Sequence, residues 1–241
     1  MTDPEAARPL PEALRALHDL SRRMAVVAAI SGRPASFLAE RLELATYRSP
    51  LRAFGLHGLE EWSAGGLIKL RPGVSSWRPT IETVRERLLE AVPPGARVED
   101  KGYGITVHWR SAAVSGAELD SLAERTSGVV HAVGTEAGLV PRRGKASVEL
   151  ALPLGTDKGT VVTELCDGLS TACYLGDDLG DFLAFQALDR LHETSHLAHV
   201  KIAVAGAEMP AELGKDADLV LEGPAAAARF LSTLAGRLRR G

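Results

Sequence analysis

The stretch YLGDDLGDFLAF, Tyr174 to Phe185, drives an apolar run directly into Asp177, Asp178 and Asp181. TACYL (171–175) reads as a buried strand and DFLAFQALDRL (181–191) as a helix, so the three carboxylates fall on a strand-to-helix turn. Ligands of an open parallel sheet bind outside the carboxyl ends of its strands, and this turn lies at that edge. Mg²⁺ takes hard oxygen ligands, commonly one or two carboxylates completed by water and substrate phosphate, which suits a short acidic loop. Taken alone, GDDxxD supports a second account equally: Asp177 or Asp178 caps the next helix, and Asp181 favours its N-terminal dipole.

The segments on either side agree with a strand-turn-helix plan. MAVVAAI (24–30), VKIAVA (200–205) and DLVL (218–221) read as further buried strands. PEALRALHDL (11–20), KGTVVTELCDGL (158–169) and PAAAARFLSTLAGRL (224–238) carry helical periodicity. The alternation predicts an α/β core with a doubly wound parallel sheet. The middle of the chain reads differently. TIETVRERLLEAV (80–92) and AELDSLAERTSG (117–128) predict helices; GITVHWR, VVHAV and ASVELAL predict strands, two of them alternating as a half-covered sheet does. Residues 76–154 are therefore expected to form an α+β insertion in a core of 1–75 and 155–241, with RPGVSSWRP and LPLGT as linkers.

Composition narrows the function. The chain has 241 residues, 45% hydrophobic and 24% charged, enough for a sizeable core. A net charge of −3 gives no electrostatic footprint for nucleic acid or an acidic membrane. No apolar run reaches the roughly 18 residues of a membrane-crossing helix, and the start MTDPEAARPLPEAL is not signal-like, so a cytoplasmic protein is expected. Cys166 and Cys173 sit among apolar residues without a CxxC pattern and read as buried thiols.

Two further motifs stand at the same sheet edge. VVAAISGRP puts Ser31 and Arg33 just past a strand, where a hydroxyl, backbone amides and a guanidinium can hold phosphate, although SGR by itself is commonly a turn. LGTDKGTVV puts Lys158 at a helix start, where a cation opposes the macrodipole; a phosphate ligand accounts for that placement, as does plain solvation. The order strand-Ser, helix-start Lys, strand-GDDxxD resembles the haloacid dehalogenase superfamily of phosphatases. LHGLEEW, VEDKGYGITVHWR, GKASVELALP, TDKGT and GDDLGDFLAF, in this order, resemble the trehalose-6-phosphate phosphatases across nearly all of the chain.

The resemblance implies that Asp177 binds Mg²⁺, with Asp178 and Asp181 supporting the metal loop. It implies that Lys158 neutralises phosphate and the attacking carboxylate, and that Ser31 hydrogen-bonds a phosphoryl oxygen. Arg33, with Glu60, Lys101 and Glu149 as sugar-hydroxyl ligands of the cap, would bind substrate. His57 reads as structural, and Tyr103 and Trp109 as cap packing. The substrate implied is trehalose 6-phosphate, and a trehalose-phosphate synthase is the implied protein partner. Another sugar-phosphate phosphatase of the superfamily needs Ser31, Lys158 and Asp177 but not the three sugar ligands together; a catalytically silent sugar-phosphate-binding protein is the other alternative.

One departure stands out. The family's nucleophile is an aspartate in a DxDGT motif on the first strand, and no such strand appears here. Asp3 has no apolar strand before it, and Asp19 lies in a helical segment. Without that central strand, MAVVAAI and TACYL lose their shared neighbour. Each buried orphan amide or carbonyl costs about 1 to 3 kcal/mol against a total stability of about 5 to 15. The expectation is a nucleophile upstream of Met1, on roughly 20 to 40 further residues, the size of a strand with its lead-in.

Overall fold

In the computed structural model the described residues are 8–239, apart from 64, 65, 110, 111, 145, 207 and 208. The chain divides into two compact units, Met1–Lys69 with Thr156–Gly241, and Leu70–Gly155.

In the first unit the Asp-rich stretch follows β9 (Thr171–Gly176), which runs one residue past TACYL. Gly176 ends it for a steric reason: a Cβ there would lie 2.4 Å from side-chain carbons of Asp181. β9 pairs in parallel with β10 (Ala198–Val204), Cys173 opposite Val200, and β10 pairs in parallel with β11 (Leu219–Leu221). Three helices follow these strands: α7 (Leu179–Ser195), α8 (Ala211–Asp216) and α9 (Gly223–Leu238). A second sheet has the order β1 (Ala28–Ile30), β2 (Arg52–Gly55), β3 (Glu60–Trp62), β4 (Ile68–Leu70). β1 and β2 are parallel, β2 and β3 antiparallel. Helices α1 (Pro11–Ser21), α2 (Ala35–Arg41), α3 (Leu44–Tyr47) and α6 (Lys158–Leu165) complete the unit.

One apolar cluster joins the two sheets. Val162 of α6 and Ala184, Ala187 and Leu188 of α7 are buried with Leu197, and against them pack Ile30 of β1 and Ala172 and Tyr174 of β9. Ala16 and Leu20 of α1 meet Ala235 of α9 in another, with Val27 packed on it. The sheets thus belong to one α/β core. Among the described residues, β1 and β9 are each paired on one side only.

The second unit is an antiparallel sheet of order β5 (Arg97–Asp100), β6 (Ile105–His108), β8 (Ser147–Ala151), β7 (Val140–Gly144). Ile105, Val107, Val148 and Leu150 of the sheet are buried, as are Ile81, Val84 and Leu88 of α4 (Arg78–Ala91), which packs near β5 and α5. VVHAV is not the strand expected: it lies inside α5 (Ala117–Glu136). Leu122, Thr126, Val130 and Val133 are buried at intervals of three and four residues, so helical periodicity outweighs the β-branched composition. α5 reaches the sheet at Gly134, where a Cβ would lie 2.3 Å from Leu150 Cδ2.

Candidate functional site

Asp178 is the N-cap of α7. Its carboxylate accepts the Asp181 amide at 3.0 Å, while Asp181 Oδ2 accepts the amides of Asp178 at 3.0 Å and Asp177 at 2.8 Å, a reciprocal capping box. The capping account of GDDxxD therefore holds for Asp178 and Asp181. Capping leaves room for chemistry, because Asp181 Oδ1 also accepts Lys158 Nζ at 2.7 Å and the Tyr174 hydroxyl at 2.7 Å.

Lys158 opens α6 behind its N-cap, Asp157, whose side chain accepts the Thr160 amide at 2.8 Å. The lysine is 5% exposed, unlike the solvated charge that a DKG turn suggests. Nζ donates to both oxygens of Asp178 at 3.1 Å as well as to Asp181. Burial lowers the ammonium's pKa, but the two carboxylates outweigh it and hold the group above its ordinary value. Burial likewise opposes the charged form of Asp181; the Lys158 charge and the surrounding donors bring its carboxyl below the ordinary range.

Ser31 follows β1, its amide donating to the Phe54 carbonyl at 3.0 Å. Its hydroxyl oxygen accepts the Arg33 amide at 3.1 Å, an ST turn. The Arg33 guanidinium rests 5.2 Å from the centre of the Phe37 ring. The segment after β2 is zipped to this loop: Leu56 donates to the Arg33 carbonyl and His57 to that of Ser31, both at 2.9 Å. Leu56 and His57 are left-handed, with φ of 49° and 57°, each a cost of about 1 to 3 kcal/mol in a non-glycine residue. Their conformation lays the His57 ring on Gly32, where a Cβ would meet Nε2 at 2.8 Å. At Gly58 a Cβ would lie 2.3 Å from Val161 Cγ2 of α6. The 31–33 loop, the 56–58 turn, the start of α6 and the Asp loop thus form one contiguous neighbourhood in the first unit.

The sugar candidates divide differently. Glu60 is on β3 in the first unit, buried, its Oε2 accepting the Ala35 amide at 2.8 Å where α2 begins. Burial pushes its carboxyl pKa up, and the amide bond opposes that rise. It is neither a surface residue nor part of the inserted segment. Lys101 and Glu149 are in the second unit and face each other at 3.5 Å, both largely buried.

Mg²⁺ can be tested against this donor set. Asp177, Asp178 and Asp181 each offer a carboxylate oxygen within 4.8 Å of the others. Asp181 and Asp178 are occupied by Lys158 and the cap, whereas Asp177 is exposed at the strand's end. A cation taking one carboxylate, water and phosphate oxygens fits this arrangement. Sequence reasoning missed Tyr174, whose bond to Asp181 crosses from strand to helix, and Asp157, although its spacing to Thr160 is a cap signal.

Comparison with known proteins gives the family. The trehalose-phosphatase family profile matches residues 1–213. The chain belongs to the trehalose-phosphatase family. Among its relatives is a trehalose-phosphate phosphatase of Mycobacterium avium, 30% identical over 248 residues, covering 99% of this chain and 59% of the relative. The chain thus spans about three fifths of the length of the curated relatives it matches first. A solved trehalose-6-phosphate phosphatase related protein has a TM-score of 0.75 at 20% identity, covering 98% of this chain and 92% of its own. A haloacid dehalogenase-like hydrolase of Bacteroides thetaiotaomicron has a TM-score of 0.57 at 13% identity, covering 93% and 92%. The chain shares the α/β fold of these solved proteins, the fold class that the alternation of strands and helices predicts. Among the described residues, no helix is long and apolar enough to cross a membrane.

Proposed function

We propose that the chain serves the Mg²⁺-dependent hydrolysis of trehalose 6-phosphate to trehalose and phosphate, in the cytoplasm. The carrying observation is the Lys158 ammonium, buried at the end of a parallel strand between Asp178 and Asp181 and beside the exposed Asp177. The ammonium has three N–H donors, shared here between Asp181 Oδ1 and the two oxygens of Asp178; because both Asp178 contacts are longer and that carboxylate is exposed, an arriving phosphoryl oxygen can take over one of them. In this reading Lys158 stabilises charge on the equatorial oxygens. The Ser31 oxygen already accepts the Arg33 amide, so its proton is free to turn toward a phosphoryl oxygen. Asp177 would hold Mg²⁺, which when bound supplies further charge neutralisation at the phosphoryl group.

The attacking aspartate is expected upstream of Met1, on a strand that pairs with the bare edges of β1 and β9. Its carboxylate attacks phosphorus, a second aspartate protonates the leaving sugar oxygen, and water then cleaves the acyl phosphate. Asp3 lies outside the described residues. The α+β segment, read from sequence as 76–154, is proposed as the sugar-binding cap. There Lys101 and Glu149 suit sugar hydroxyls; the present bonds of Glu60 and Arg33 favour shaping the 31–35 loop.

A second reading, sugar-phosphate binding without turnover beside a trehalose-phosphate synthase, rests on one observation. Among the described residues no aspartate stands on a strand between β1 and β9. Phosphate release from trehalose 6-phosphate with Mg²⁺ separates the two. The 241-residue chain is compared with a form extended to the preceding in-frame start, with other sugar phosphates as a panel. Turnover in the extended form alone is expected. Turnover in the short chain removes the upstream nucleophile, and binding without turnover in both forms favours the second reading.

A further inference from the structure

Tyr174 has no part in the chemistry described so far, yet its hydroxyl and Lys158 Nζ are both 2.7 Å from one oxygen, Asp181 Oδ1. Asp181 Oδ2 accepts the amides of Asp177 and Asp178. A carboxylate has about four lone-pair positions, so Asp181 is saturated by its own chain. Its negative charge is divided among an ammonium, a phenol and two amides, and nothing remains for a cation.

The geometry points to Tyr174 as a positioning residue that, through Asp181, holds the Lys158 ammonium where it can receive a phosphoryl anion. This inference rests on the phosphate-site reading above. Without the hydroxyl, Oδ1 would draw on Lys158 alone, and the ammonium would be more fully neutralised by its own chain than by an incoming anion. The Tyr174 ring is fixed independently of its hydroxyl: it meets Phe185 edge to face at 6.1 Å and packs on the cluster that includes Val162 and Leu188. Phenylalanine can therefore keep the packing and lose only the bond.

The test uses Tyr174→Phe in the 241-residue chain, with tungstate as phosphate analogue. Calorimetry measures tungstate and Mg²⁺ affinities, and thermal unfolding gives Tm. The expected result is a tungstate Kd raised about 3- to 10-fold, the range of one net hydrogen bond, with Mg²⁺ affinity unchanged within about twofold and Tm nearly constant. An unchanged tungstate affinity would overturn the inference and leave Tyr174 as packing. A parallel loss of Mg²⁺ affinity would overturn it too, making Asp181 a cation ligand. If the variant unfolds, Asp181→Asn, which removes the charge that the hydroxyl shares with Lys158, must change tungstate affinity and spare Mg²⁺; unaltered tungstate affinity or loss of Mg²⁺ rejects the account. Failure of the unsubstituted chain to bind tungstate defeats the phosphate-site reading itself, and the inference with it.

Discussion

A few ionisable side chains in the first unit, among them His18, Lys158 and Asp181, are buried with partners, and their protonation couples to stability. His18 is fully buried, stacked on Tyr47 at 3.8 Å, with Nε2 donating to the Leu42 carbonyl at 2.8 Å and Nδ1 bonded to Ser49. Burial holds its pKa below the ordinary 6.5, partly opposed by the carbonyl bond. The unfolded chain therefore binds the proton more readily than the folded one, and acid favours unfolding. Stability from this group is complete above pH 6.5 and is lost as pH falls from there toward the folded value, at up to about 1.4 kcal/mol per pH unit. His18→Gln should flatten that part of the profile, measured by urea unfolding between pH 7 and pH 5; an unaltered slope counts against it. At this scale the sequence was informative where motifs are local. Asp177 and Ser31 follow strands and Lys158 opens a helix, as their strings imply. The bond from Tyr174 to Asp181 joins a strand to the next helix and has no local signature, and the burial of Lys158 depends on two carboxylates twenty or more residues away.

Between elements, β2 comes close to the start of α2. A Cβ on Gly55 would lie 2.1 Å from the Ala35 amide nitrogen and 2.7 Å from the Pro34 carbonyl carbon, and neither backbone atom can yield cheaply. Gly55→Ala should cost at least the ~1–3 kcal/mol typical of overpacking and displace the 31–35 loop. Thermal unfolding and tungstate binding would check it, with both expected to fall; a variant as stable as the parent would refute the crowding. Legibility here followed length. The long periodic helices α1, α4, α7 and α9 and the strands β9 and β10 carry enough repeats to be read. RAFG, EEW and IKL are three or four residues each, and all three carry charges into a strand, so their pairing comes from neighbours rather than pattern. VVHAV misled because β-branched side chains also suit a helix whose buried face needs slim, rigid groups.

For the molecule as a whole, the α/β class was legible because strand and helix signals alternate on both sides of the central α+β segment. The split of the first unit into two sheets was not, since it depends on which strands find partners. β1 and β9 are bare on one side among the described residues, and AAI and TACYLG contain neither lysine nor proline. Natural sheet edges are blunted by such residues, and an unguarded edge templates pairing with another chain. The consequence is colloidal. The 241-residue chain should self-associate as its concentration rises, seen as growing particle size in light scattering. Cys173→Lys, a charge on the exposed part of β9, should suppress that growth, whereas a parent chain that stays monodisperse at high concentration would mean its edges are already guarded. A strand seated between β1 and β9 would then act as an intramolecular chaperone, setting how much protein a cell can keep in solution before it sets how fast any phosphate is released.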